Sequence, residues 1–397
     1  MLKGRKIILG VTGGIAAYKA AELVRELVRA GAEVFVVMTR GAQAFITPLT
    51  FQTLSGNKVT TELFSLVEES EIGHISLADR ADLLVIAPAT ANIIGKIAGG
   101  IADDMLTTIV MATKAPVLLA PAMNVHMWGN PICQENIQKL RGRGFHFIDP
   151  EAGELACGYE GKGRLAEIPA IVEEIRSILA PKDFSEETLL VTAGPTEEPI
   201  DPVRFLSNRS SGKMGFALAR AARLRGARVI LVSGPAPLSA PPGVNFIPVR
   251  TAAEMREAVL GNLPAVSMLV MAAAVSDYRP KGISSEKIKK SQADLTLPLE
   301  LNPDILREAG LRKEKRLLIG FAAETGSLVA NARKKLAEKN LDLIVANDVS
   351  LPGAGFAVDT NIVKLIDRSG KIEELPLMSK EDLADLVLDR ALLLRSA

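Results

Sequence analysis

Cysteine, histidine and aromatic residues are scarce in this chain. Two cysteines in 397 residues, Cys133 and Cys157, leave no disulfide framework and fit a reducing compartment. With only three histidines there is no C-x-x-C or H-x₃-H pair, so a zinc site lacks its ligand spacing. Neither sign of charge is in excess: 47 Lys and Arg against 46 Asp and Glu give +1. That removes the basic field needed to bind nucleic acid or a membrane surface. No apolar run approaches the roughly 18 residues of a spanning helix. The start, "MLKGRKIILGVTGG", meets glycine too early for a signal peptide. A cytoplasmic protein is expected. The standard nucleotide fingerprints are missing too. "GVTGGIAAYK" places Gly10, Gly13 and Gly14 off the G-x-G-x-x-G pattern. "SNRSSGKMG" has Ser207 and Met214 where a P-loop requires glycine and Ser/Thr.

What is present is a core-forming composition, 48% hydrophobic and 23% charged. The length suggests two domains. "KIILGVTG", "EVFVVMT", "ADLLVIAPAT" and "APVLLAPAM" are continuous apolar runs of the parallel-strand kind, with amphipathic helical segments between them. After "PAIVEEIRSIL", the stretch "APKDFSEE" breaks the pattern, and the same alternation restarts at "TLLVTAGPT". The expected organisation is a first domain at 1–180, a linker at 181–187 and a second domain at 188–397. The expected fold class is α/β: two doubly wound parallel-sheet domains, flavodoxin-like or Rossmann-like. Ligands then lie outside the carboxyl ends of the strands.

Several strand ends carry unusual residues. His74, in "GHISLADRADLLVIAPAT", is the readiest neutral-pH base, although a lone histidine is equally at home in a structural role. "APATANIIGKIAGGIADD" is rich in small residues that let backbone approach a flat ligand, or a helix approach a sheet. "PAMNVHMWGNP" gathers Asn124, Met127 and the only tryptophan, Trp128, as a pocket wall with one amide. In "ELACGYEGKGR" the thiol of Cys157 sits among glycines. By spacing alone it is a surface thiol, half a disulfide, a metal ligand or a mobile acid. In the second half, Arg204, Asn208, Arg209 and the Ser-Ser-Gly-Lys run precede a helix, the makings of an anion site or of a capped helix entry. Asp277 ends an apolar strand and suits a ribose hydroxyl, Mg²⁺ or a turn cap. Lys287, Lys289 and Lys290 form a polar cluster, either solvated or neutralising phosphate charge.

Taken together, "TGGIAAYK", "APATANIIGKIAGGIADD", "PAMNVHMW" and "ACGYEGKGR" resemble the flavin-dependent cysteine decarboxylases, the phosphopantothenoylcysteine decarboxylases above all. The resemblance covers nearly all of residues 1–180. It implies FMN at a trimer's subunit interface, with Gly13, Gly14, Ile15 and Thr39 at the phosphate loop. Ala89, Thr90, Ala91 and Asn92 would line the flavin. It implies that His74 acts as base or positions substrate, that Asn124 holds the substrate carboxylate, and that Cys157 donates a proton from a flap. The chemistry so implied oxidises the cysteine CH₂–SH to a thioaldehyde, loses CO₂ to an ene-thiolate and then returns hydride. From about 187 to the end, "SNRSSGKMG", "AAAVSDY", "EKIKK", "NPDIL" and "GFAAET" resemble phosphopantothenate–cysteine ligases. That implies CTP contacts at Met271, Ala272, Ala273, Asp277, Lys287, Pro303, Asp304, Ile305, Leu306, Phe321, Lys335 and Lys339. Asn208 would turn over the acyl intermediate, Arg204 would meet the substrate phosphate, and Mg²⁺ would accompany the nucleotide, with Asp277 its candidate ligand. The ligase product is the decarboxylase substrate. The resemblances therefore imply a chain converting 4′-phosphopantothenate, L-cysteine and CTP to 4′-phosphopantetheine. They also imply decarboxylase trimers joined by ligase dimers into a dodecamer. A flavin-binding module without activity and an NAD(P) dehydrogenase are the competing readings.

Overall fold

The structure is a computed structural model that describes residues 2–63, 73–154, 160–289, 296–324, 327–348 and 358–396. It divides into two compact units, Met1–Ala180 and Pro181–Ala397.

In the first unit, strands β1 (Lys6–Val11), β2 (Glu33–Met38), β3 (Leu83–Ala89), β4 (Val117–Pro121) and β5 (His146–Phe147) form one sheet in the order β2-β1-β3-β4-β5. All of its pairings are parallel. β3 and β4 are buried along their whole length, which is why they read as unbroken apolar runs rather than alternating ones. Helices α1 (Lys19–Arg29), α2 (Pro48–Ser55), α3 (Gly73–Arg80), α4 (Ala91–Gly99), α5 (Met105–Ala112), α6 (Val125–Trp128), α7 (Pro131–Arg141) and α8 (Ile168–Leu179) connect and flank these strands. Alternate residues of β1 go to opposite layers: Ile7 and Leu9 pack with α1 and α8, and Ile8 packs with α4, α5 and α7. The segment after β1 begins as a 3₁₀ turn, Ile15–Tyr18, and becomes α-helical at Lys19. A hairpin, β6 (Glu151–Glu154) with β7 (Glu160–Arg164), flanks the glycine-rich stretch around Cys157. Residue 157 lies outside the described residues.

The second unit holds β8 (Thr188–Ala193), β9 (Glu197–Pro199), β10 (Phe205–Ser207), β11 (Arg228–Ser233), β12 (Asn245–Pro248), β13 (Met268–Met271), β14 (Tyr278–Pro280), β15 (Leu299–Leu301), β16 (Leu317–Glu324), β17 (Leu343–Asp348), β18 (Thr360–Asn361), β19 (Val363–Asp367) and β20 (Ile372–Glu374). Eight of them form a sheet in the order β12-β11-β8-β13-β16-β17-β19-β20. It is parallel from β12 to β17 and antiparallel at β17/β19 and β19/β20. The expected doubly wound parallel sheet is present, with two antiparallel strands added at one edge. The last two strands are short and joined by a turn, which needs no crossover helix.

Strand order reverses between β8 and β13, and this topological switch point is where an open α/β sheet leaves a crevice. Helices α9 (Lys213–Leu224), α10 (Ala252–Asn262), α11 (Ile305–Leu311), α12 (Leu328–Glu338) and α13 (Lys380–Ser396) cover the faces. Leu190 of β8 packs in one core with residues of α10, α11 and α12. Three residues on, Ala193 faces the other way: a Cβ added at Gly215 of α9 would meet the Ala193 Cβ at 2.5 Å and the Thr192 carbonyl at 2.7 Å.

The boundary segment is packed against the second unit. Phe184 is fully buried. The Arg225 guanidinium lies 4.8 Å from its ring centroid and forks onto Asp183 at 2.9 and 2.6 Å. Arg225 also reaches Asp389 of α13 at 2.7 Å, so one buried cation ties the start of the unit to its last helix. The Asp183 carboxyl is held below the usual aspartate range, chiefly by the Arg225 hydrogen bond.

Candidate active sites

A cavity of about 1050 Å³ opens at the carboxyl ends of the first unit's strands. Gly13, Gly14 and Ile15 after β1, Thr39 after β2, and Thr90, Ala91 and Asn92 after β3 all line it, as does Asn124 after β4. Sequence expectation and geometry meet here because each residue follows a strand in one parallel sheet. Ala89 is the exception. It is the last residue of β3, fully buried, and faces the α4–α5 core rather than the cavity.

The wall is assembled by short polar links between strand ends. Thr12 donates from Oγ1 to the Pro88 carbonyl at 2.7 Å and accepts from the Thr90 N–H at 3.2 Å. Thr90 then caps α4, its Oγ1 accepting from the Ile93 N–H. The Thr39 Oγ1 accepts from the Ala42 N–H at 3.3 Å. Backbone meets backbone at Gly13, where an added Cβ would lie 2.7 Å from the Gly41 carbonyl carbon. Asn124 caps the short α6, its Oδ1 accepting from the His126 N–H at 2.8 Å. Of the expected Met–Trp wall, Met127 lines the cavity. Trp128 instead packs on the core, 5.7 Å under the Lys162 ammonium.

Composition gave no warning of the cations here. Lys19, Arg40, Lys96 and Arg164 line this cavity along with a single acid, Asp104. Lys96 is held by Asp103 at 2.7 Å and Asp104 at 3.2 Å, and its ammonium is pushed above the usual lysine range, first by Asp103. Glycine-backed N–H groups, a close backbone approach and flanking cations suit a phosphorylated flat ring such as FMN. His74 falls in the first turn of α3, and its side chain lies outside the described residues, as does all of Cys157. Cys133 is buried in α7, its Sγ 3.7 Å from the Met123 sulfur, and burial pushes its thiol pKa up.

The second unit's cavity, about 740 Å³, sits at the β8/β13 switch point. Met271, Ala272, Ala273, Asp277, Pro303, Asp304, Ile305, Leu306, Phe321, Lys335 and Lys339 all line it, together with Asn208. Threonine hydroxyls again tie strand ends together: Thr192 accepts from the Ala273 N–H at 3.1 Å and Thr196 from the Ser276 N–H at 3.0 Å. The Asn302 N–H donates to the Asp277 carbonyl at 2.8 Å, joining the Asp277 segment to the Pro303 loop. Asp304 caps α11 and pairs with Lys339 at 2.8 Å. Asn208 donates from Nδ2 to the Ala274 and Val275 carbonyls, both at 3.1 Å.

Two expected residues are not brought to this wall. Arg204 turns to Asp201 at 2.9 Å and donates to the Ile288 carbonyl at 2.5 Å. Asp201 Oδ2 also accepts from the Ile288 N–H. This clamp holds the residue next to Lys287 on the β9–β10 loop, and Lys287 itself is exposed. Lys213, Lys380, Ser210, Ser211, Asn302, Asn347 and Asn361 do line the cavity, and of these Lys213, the serines and Asn302 of "NPDIL" carried a sequence signal. Among the described residues no cluster of three His, Cys, Asp or Glu stands ready for a metal ion.

Residues 1–180 match the family described as Flavoprotein, and residues 184–394 match the DNA/pantothenate metabolism flavoprotein C-terminal domain. The coenzyme A biosynthesis bifunctional protein CoaBC of Bacillus subtilis (strain 168) is 53% identical over 397 residues, covering 98% of this chain and 97% of that protein. The chain belongs to the CoaBC family. The protein of the same name from Escherichia coli (strain K12) is 47% identical over 98% of this chain and 97% of its own length. A crystal structure of the C-terminal domain of a CoaBC protein is 42% identical, covering 54% of this chain and 98% of its own, with a TM-score of 0.47.

Gly163 of β7 tests the first cavity. Its carbonyl accepts from the Met123 N–H at 3.0 Å, and an added Cβ would run into the Met123 carbonyl oxygen. Overpacking of this kind costs about 1–3 kcal/mol. Gly163→Ala should therefore weaken flavin retention about tenfold, measured from the visible absorbance of the purified protein, with far-UV circular dichroism unchanged. Full flavin occupancy in the variant would show that this approach does not shape the site.

Proposed function

We propose that the two cavities carry the two halves of one conversion, each by the residues that line it. The chain is a bifunctional enzyme of coenzyme A biosynthesis, with phosphopantothenate–cysteine ligase and phosphopantothenoylcysteine decarboxylase activities. The observation that carries the residue assignment in the ligase unit is the convergence of Asn208, Asp277, Lys335 and Lys339 on one crevice at the switch point.

In the ligase unit the carboxylate of 4′-phosphopantothenate attacks the α-phosphate of CTP, forming an acyl-cytidylate and releasing pyrophosphate. Lys335 and Lys339 offset the triphosphate charge. Asp277 would be the carboxylate that holds a Mg²⁺ accompanying the nucleotide, and the ion would offset phosphate charge. The cysteine amine then attacks the acyl carbon and displaces CMP, with Asn208 orienting the anhydride from its perch on the Ala274 and Val275 carbonyls. Lys287 is assigned to the nucleotide phosphates by its sequence motif.

In the decarboxylase unit, the His126 N–H engages Asn124 Oδ1, which leaves the donor role toward the substrate carboxylate to Nδ2. Gly13, Gly14 and Thr90–Asn92 shape the flavin bed, and Lys19, Arg40 and Arg164 favour the flavin's phosphate. Bound FMN supplies the reversible two-electron chemistry that makes CO₂ loss feasible. His74 is the base or the substrate-positioning group. Cys157 returns a proton to carbon. Both assignments rest on their sequence motifs. The family resemblance favours a homo-oligomer. A monomer mass by light scattering would remove that reading. No helix among the described residues is long and apolar enough to cross a membrane, and a cytoplasmic location fits the substrates.

Incubation with 4′-phosphopantothenate, cysteine, Mg²⁺ and either CTP or ATP should give 4′-phosphopantetheine with CTP, read by mass. Absence of that product would sink the residue-level scheme in both units. Cys157→Ser should lose CO₂ but accumulate the oxidised ene-thiol, and full turnover would take the thiol out of the mechanism. Lys287→Gln should slow pyrophosphate release at subsaturating CTP, and a wild-type rate would end its nucleotide role.

A further inference from the structure

Asn361, in β18, is a buried polar side chain in the wall of the ligase cavity. It is 5% exposed and yet borders the cavity. Its backbone is engaged in pairing with Met378. Its Oδ1 accepts from the Asn347 Nδ2 at 3.1 Å, which fixes the orientation of the amide. What it offers the cavity is Nδ2, which has no partner among the described residues. A buried donor of this kind is satisfied by whatever fills the cavity, and only an acceptor will do. The strand pairings show which side of the sheet it serves. Ala322 of β16 packs in the core with α10, α11 and α12, so its neighbours Phe321 and Ala323 face the opposite side. Asn347 pairs with Ala323 and shares that side. The 12-residue α9 covers it too, with Gly215 set against Ala193. Lys213, the first residue of α9, pairs at 2.6 Å with Asp359, two residues before Asn361. The start of α9 and the Asn361 amide therefore border one end of the cavity. The N-cap of α9 is Gly212, at φ +75, and no side chain caps the helix there. Gly212, Met214 and Gly215 line the cavity as well. A helix start without a side-chain cap and an unpaired amide are both donors, and together they suit phosphate oxygens.

Two phosphate sources meet in this reaction, the nucleotide and the acid substrate. Phe321 stands on the same side of the sheet as Asn347 and belongs to the nucleotide motif, which favours CTP. We propose that Asn361 is a nucleotide-binding residue, its Nδ2 donating to the β,γ-phosphates of CTP opposite the start of α9. This rests on the ligase reading of the cavity. In the first half-reaction the acid's carboxylate oxygen bonds to the α-phosphorus. The bridging bond to the β-phosphate breaks, and its electron pair leaves with pyrophosphate. Asn361 thus holds the leaving group rather than the cytidine, and Asn347 aims it. Lys335 and Lys339 approach from the α12 side, so the triphosphate lies across the strand ends with donors on both sides of the sheet.

The test reads initial rates of product formation by mass in the full-length protein, with inorganic pyrophosphate and CMP as inhibitors. Asn361→Leu removes the donor at nearly constant volume. It should raise KM for CTP about tenfold, the scale of one hydrogen bond to a charged group. The inhibition constant of pyrophosphate should rise by the same factor. That of CMP, and KM for 4′-phosphopantothenate and for cysteine, should stay within about twofold. Asn361→Asp keeps an acceptor for Asn347 but sets a carboxylate against phosphate, and should raise KM for CTP further than the leucine does. Equal weakening of CMP and pyrophosphate, a rise confined to KM for 4′-phosphopantothenate, or an unchanged KM for CTP in both variants overturns the assignment. Should Asn361→Leu fail to fold, Asn361→Asp decides alone on the same constants. A wild-type protein that forms no ligated product from CTP would instead refute the ligase reading beneath the proposal.

Discussion

Both sites depend on backbone coming closer to backbone than a side chain allows. At the first, Gly13 lies against Gly41, so the loops after β1 and β2 share one wall. At the second, a Cβ on Gly234 would collide with the Pro195 carbonyl, and Gly194, at φ +72, lies against Gly234 in turn. These contacts draw the carboxyl ends of neighbouring strands together and leave N–H groups, rather than side chains, at the cavity edge. A parallel sheet needs this arrangement to bind a large anionic ligand, because its own side chains are spent on burying both faces.

Threonine hydroxyls complete the closure. Thr12 and Thr90 lock β1 to β3, while Thr192 and Thr196 lock β8 to the segment after β13. Each replaces a missing ladder hydrogen bond at a point where the strands diverge. The backbone polar groups of the diverging loops are thereby satisfied without closing the crevice between them. The two units share this construction but use it for different charges. The first collects cations around a bed of small residues. The second divides its lysines between helices on opposite faces of the sheet.

Much of the site was legible because strand ends are local features. An apolar run followed by Gly13, Thr39, Thr90 or Asn124 announces where a parallel strand stops, and parallel strands stop at the same edge. Met271, Asp277 and Phe321, which the ligase resemblance named, also meet at strand ends. Ala89 lies off the cavity because, as the last residue still within β3, it points into the core rather than out of it. Trp128 failed because a four-residue helix turned its ring onto the core and left Met127 at the cavity. Arg204 and Lys287 lie off this wall for a non-local reason: Asp201 captures both the Arg204 guanidinium and the Ile288 backbone, a link across residues 201 and 288 that no motif spacing encodes.

Apolar runs and their terminating residues were enough to read two α/β units with parallel cores, from the period of a buried strand and the small residues that end it. Most of what borders each cavity was named through the family resemblance of the motifs. Only the tertiary structure decided that the last two strands of the second sheet run antiparallel. It alone brought Lys380, at the start of the final helix, beside Lys213 at the start of α9. Helix-to-helix approach across a sheet face depends on how the two helices are carried by strands far apart in the chain. No local pattern of residues records that distance.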